Sequence, residues 1–111
     1  MSVRETLKRE RAFEEFARIV MDALDEEINE IILYGSTARK AAVERSDVDV
    51  MVVLDGKATS EQRDTIIAAA FDVCLEYEVD IIPNIQSKDR LDARRDHPFI
   101  RTVLAEGRVY G

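Results

Sequence analysis

At 111 residues the chain holds material for one folding unit, residues 1–111, and little for a second module. A composition of 46% hydrophobic and 35% charged residues excludes a disordered or fibrous chain, and a net charge of −7 disfavours stable binding to a nucleic-acid backbone. No apolar run approaches a membrane span, the N-terminus carries no apolar signal core, and lone Cys74 has no disulfide partner, so no membrane contact and a cytoplasmic location are expected.

Phe13, Phe16, Ala17, Val20 and Leu24 recur at helical spacing and predict an amphipathic helix from about Thr6 to Glu27. Phe13 and Phe16 belong to its core stripe, whereas Lys8, Arg9 and Arg11, balanced by Glu5 and Glu10, read as its exposed side. Branched apolar residues then predict a strand over Ile28 to Tyr34, closed by Gly35, with Ser36 as N-cap of a short helix from Thr37 to about Val43.

Val48 to Leu54 is almost uninterruptedly apolar, as expected of a strand covered on both faces, and Asp55-Gly56 ends it. Thr59-Ser60-Glu61-Gln62 has capping-box spacing, and Ile67, Ala70, Phe71 and Cys74 form the expected apolar stripe of a helix running to about Glu76. Cys74 is given no functional role. Val79 to Ile82 predicts a third strand, with Pro83 limiting its pairing. Ser87 can cap a short helix to about Arg94, and His97-Pro98 begins a last helix that Gly107 follows. Here His97 is structural, and Asp89, Asp92 and Asp96 among Arg90, Arg94 and Arg95 form a solvated charged face outside any site.

A strand, a full helix and a strand normally make a parallel pair, so Asp47, Asp49 and Asp80 fall at one edge of the sheet. The shorter connection from the first strand to the second suits an antiparallel pair, which brings Gly35-Ser36 to the same edge. Asp47 and Asp49 point to one side of their strand, roughly 7 Å apart at their roots. Three acids pressed together would repel, so the arrangement suits a hard divalent cation such as Mg2+, and a cation pair could clamp an in-line displacement. Gly35 permits close backbone approach, Ser36 adds a hydroxyl and helix N–H groups, and Arg39 and Lys40 can neutralise outer phosphates.

Gly35-Ser36-Thr37-Ala38-Arg39, then Ser46-Asp47-Val48-Asp49, then Val79-Asp80-Ile81 closely resemble the minimal nucleotidyltransferases of the DNA polymerase beta superfamily. Ten residues separate the Gly-Ser pair from Asp-x-Asp, and the ending Glu106-Gly107-Arg108-Val109-Tyr110 is similar to the group as well. The resemblance implies an α/β (α+β) nucleotidyltransferase fold, a small mixed sheet flanked by helices, with ATP or another NTP and two Mg2+ ions. It implies transfer of a nucleoside monophosphate to a hydroxyl with release of pyrophosphate. Asp47 and Asp49 would bind both metals, Asp80 would bind the catalytic metal and help deprotonate the hydroxyl, and Gly35 and Ser36 would hold the triphosphate. Many relatives have Gly where this chain has Lys40.

Small stand-alone members of the group often act as antitoxins that add AMP to a tyrosine of a HEPN-domain ribonuclease toxin. The resemblance therefore implies a HEPN toxin as partner and acceptor. Three other readings stand beside it. These are a non-catalytic module that neutralises its partner by occlusion, a transferase acting on an aminoglycoside-like small molecule, and a two-metal nuclease, which the acidic charge disfavours.

Overall fold

The computed structural model describes residues 3–43 and 46–111. Helix α1 (Val3–Leu24) ends in a single 3-10 turn, Asp25–Glu27, and leads into β1 (Ile28–Tyr34). Next come the single-turn α2 (Gly35–Ala38), β2 (Val48–Leu54), α3 (Ser60–Tyr77), β3 (Ile81–Ser87), α4 (Lys88–Ala93), α5 (Pro98–Glu106) and the two-residue β4 (Arg108–Val109). The sheet order is β3-β2-β1-β4. β2 is antiparallel to β1 and parallel to β3, as the connection lengths predict, and β4 pairs antiparallel with β1.

Both faces of the sheet are covered, which is why β2 is apolar at nearly every position. Val48, Val50, Val52 and Leu54 join Ile31 and Leu33 beneath α1 and α3. Met51 and Val53 face the other way, with Ile32, against Leu91 of α4 and Ile100 and Val103 of α5. By this alternation Asp49 belongs to the α4–α5 side, and it is the one residue of β2 that is not buried.

Several local expectations are corrected. The helix after Gly35 is one turn rather than a run to Val43, because Lys40 takes a left-handed φ of 57°, which no helix continues through. β3 runs through Pro83 to Ser87, since β3 is an edge strand and an edge tolerates a residue that cannot donate. The capping box at Thr59 and Gln62 forms as expected, but the buried stripe of α3 is Ile66, Ala69, Ala70 and Val73. Ile67, Phe71 and Leu75 are instead 56%, 61% and 65% exposed. A face carrying alanines lets α3 approach α1, whose contact surface includes Ala12 and Ala17, and this outweighs the larger side chains one position on.

Arg9 overturns its expected exposure. It is 2% exposed, with its guanidinium in hydrogen bonds to Glu5 and to the Ser46 carbonyl. His97 caps α5 as expected: its Nδ1 accepts from the Phe99 N–H at 3.2 Å. Asp92 and Arg95 form a solvated pair at 2.9 Å.

Candidate functional site

The antiparallel register sets Tyr34, the last residue of β1, opposite Asp49, the second residue of β2. Gly35 follows with φ 78°, and a Cβ there would lie 2.5 Å from Asp49 Oδ2. Only glycine lets the carboxylate rest over this backbone, so its fit is steric as well as conformational. Ser36 lies inside the turn of α2 rather than capping it, since Tyr34 occupies the N-cap position. Its carbonyl accepts from the Ala41 N–H at 2.8 Å, closing the loop that carries Arg39 and Lys40.

The Asp49 carboxyl is held above the usual carboxylate range, first by burial and then by the Asp47 carboxylate, while Arg39 pulls the other way. Asp47 itself is exposed. The Asp47 carboxylate thus stands close enough to resist the ionisation of Asp49 beside one cation, an arrangement that a divalent ion would relieve. Arg39 also pairs with Glu106 at 3.5 Å, with half its side chain in solvent. Lys40 points elsewhere: its ammonium lies 3.4 Å from Glu10, which also accepts from Arg108. Burial acts to raise the Glu10 carboxyl, but the Arg108 and Lys40 contacts outweigh it and hold the group below its ordinary value.

Asp80 shares the rim without joining this cluster. Its carbonyl accepts from the Val48 N–H at 2.8 Å, which fixes its backbone beside Asp47. Its carboxylate instead accepts from Cys74 Sγ of α3 at 3.2 Å. The hydrogen bond to Asp80, with burial and the carboxylate's charge behind it, pushes the Cys74 thiol up. β3 begins only at Ile81, and Glu78 ends α3 with a left-handed φ of 57°, so the strand's alternation does not govern where the Asp80 side chain goes. Among the described residues no group of three or more His, Cys, Asp or Glu side chains is placed to hold a metal.

Two residues that sequence reasoning left out complete the α4–α5 side. Tyr34 is half-buried, shares a side-chain hydrogen bond with Asn84, and meets Phe99 edge-on with ring centroids 5.7 Å apart. Burial raises its hydroxyl's pKa, the Asn84 bond opposes this, and the Asp49 charge adds to it. The signal for Tyr34 was present, because antiparallel pairing of the two strands sets it across from Asp49. Asn84 was hidden by ending the third strand before it. Among the described residues, no helix is long and apolar enough to cross a membrane.

A family model described as "Polymerase beta, Nucleotidyltransferase" matches residues 17–109. A Methanocaldococcus jannaschii protein named "Putative protein adenylyltransferase MJ0604" is 32% identical over 103 residues, spanning 93% of this chain and 98% of that one. A second protein of that organism, MJ0141, carries the same description and is 34% identical over 74 residues, 67% of this chain and 75% of its own length. The crystal structure described as "the toxin-antitoxin with AMP-PNP" superposes with a TM-score of 0.60 at 17% identity, over 88% of this chain and 73% of that one, a likeness of fold.

Proposed function

The chain belongs to the polymerase beta nucleotidyltransferase family, and from that premise we propose that it transfers AMP from ATP to a hydroxyl of a partner protein, releasing pyrophosphate. The observation that carries the reading is the Asp49 carboxylate lying against Gly35 with Asp47 two residues earlier, so that acid pair and phosphate loop form one surface. Mg2+ fits this donor set: it binds through one or two carboxylates and completes its shell with water and phosphate oxygens, and two like charges are already crowded here. Bound Mg2+ would neutralise charge developing on the transferring phosphoryl group and on the pyrophosphate that leaves.

In this scheme Asp47 and Asp49 would hold two such ions. Gly35 and Ser36 admit the triphosphate against backbone and hydroxyl, and Arg39 offsets its outer charge. Lys40, engaged with Glu10, contributes charge at longer range. Asp80 is exposed on the same rim, and on leaving Cys74 it would supply the third carboxylate and accept the proton of the attacking hydroxyl.

A protein acceptor is favoured because a relative matching nearly the whole chain carries a protein adenylyltransferase name. The proposed acceptor is a tyrosine of a HEPN-domain toxin, with this chain as antitoxin. The Asp80–Cys74 bond favours one rival, in which the chain neutralises its partner by occlusion alone. Intact-mass analysis of the partner, co-purified with this chain and treated with ATP and Mg2+, separates the two. One or more AMP increments are expected, and a protected but unmodified partner would leave occlusion in place.

A further inference from the structure

Burying an arginine is costly unless its charge and its donors are satisfied, so a buried guanidinium marks a place where orientation matters. Arg9 is such a group. It sits in the N-terminal third of α1 with 3% of its side chain exposed, and Nη1 donates to the Glu5 carboxylate at 2.6 Å and to the Glu5 carbonyl at 3.2 Å. Its Nε–H reaches out of the helix and donates to the Ser46 carbonyl at 2.8 Å, across 37 positions of sequence.

Ser46 precedes Asp47, and every polar atom it offers is engaged. Its N–H donates to the Val43 carbonyl at 2.9 Å and its Oγ accepts from the Val43 N–H at 2.9 Å. On the other side of Asp47, the Val48 N–H is bonded to the Asp80 carbonyl. Asp47 is therefore an exposed side chain on a backbone pinned at both neighbours, and the pin on the Ser46 peptide comes from a rigid planar donor anchored in α1.

Resting on the proposed reading of the rim, we infer that Arg9 is a positioning residue for the Asp47 carboxylate, acting through the Ser46 carbonyl to fix where that carboxylate meets a divalent ion. Outer groups that orient metal ligands contribute about 10- to 100-fold in metal affinity when removed.

The test compares Arg9→Met, which keeps the bulk of the stem, with Arg9→Lys, which keeps the charge without the in-plane Nε–H, and with Glu5→Gln, which loosens the ion pair but leaves the Ser46 bond available. Two readouts are taken: Mn2+ affinity by calorimetry, and amide hydrogen exchange of residues 46–49 in the metal-free protein. Arg9→Met is expected to weaken Mn2+ binding about tenfold or more and to speed exchange at 46–49, with Arg9→Lys intermediate. Glu5→Gln is expected to leave Mn2+ affinity within about twofold of the unsubstituted protein. If Arg9→Met does not fold, Arg9→Lys decides. Unchanged Mn2+ affinity and unchanged exchange in the folded Arg9 variant overturn the inference, and no Mn2+ binding by the unsubstituted protein strikes the reading of the rim instead.

Discussion

Two ends of one sheet rim each carry an acid, and they behave differently. Where β1 meets β2, Asp49 is drawn over Gly35, pushed above its ordinary pKa, and set beside Asp47 and Arg39. Where β2 meets β3, Asp80 has its backbone locked to Val48 yet gives its carboxylate to Cys74. Strand register decides where a backbone arrives, while the neighbours of a side chain decide where its charge goes. Asp49 lies within a strand and has its direction set by alternation. Asp80 lies just before one and takes the partner that α3 offers.

The strongest way to break this comparison is to remove the acids in turn. Asp47→Asn with Asp49→Asn is expected to lower AMP transfer more than about 1,000-fold, read with labelled ATP, while circular dichroism stays unchanged. Asp80→Asn should cost at least about tenfold, and Cys74→Ala less than about threefold, because the thiol only holds the carboxylate aside. Transfer surviving Asp80→Asn undiminished would confine the chemistry to the β1–β2 end.

The phase of α3 is the next point of attack, since it puts Cys74 over Asp80. Ile66→Ala should destabilise by about 3 kcal/mol in urea, whereas Ile67→Ala, on the exposed side, should stay within about 0.5 kcal/mol. Gly35→Ala should cost about 1–3 kcal/mol, with both the left-handed φ and the Asp49 carboxylate opposing a Cβ.

The smallest effect is one of pH. A carboxyl whose folded pKa is raised binds its proton more tightly folded than unfolded. The stability traced to Asp49 is therefore greatest below its unfolded pKa and falls as pH rises through the carboxylate range to its raised folded value. Asp49→Asn should flatten that part of the urea-stability profile and exceed the unsubstituted protein in stability at pH 7.

Much of this rim was legible in residues 28–54. β1 and β2 have the expected bounds because branched apolar runs closed by Gly35 and Gly56 leave few alternatives. The antiparallel and parallel pairings followed from connection length alone. The phase of α3 was not legible, because residues 66–75 are apolar on two adjacent stripes and only the approach of α1 chooses between them. That one-position difference takes Cys74 out of the core stripe and makes it a partner for Asp80. Arg9 was missed for a similar reason: in sequence it is one charge among several on a helix, and only the fold reveals the Ser46 carbonyl waiting for it.

The most direct test of the rim is calorimetric titration of Mn2+ with ATP into the unsubstituted protein and into the variant carrying both Asp47→Asn and Asp49→Asn. Saturable binding to the first and none to the second is the predicted result. Equal binding to both would contradict the account, because the nucleotide would then be held without the acid pair on which the proposed chemistry rests.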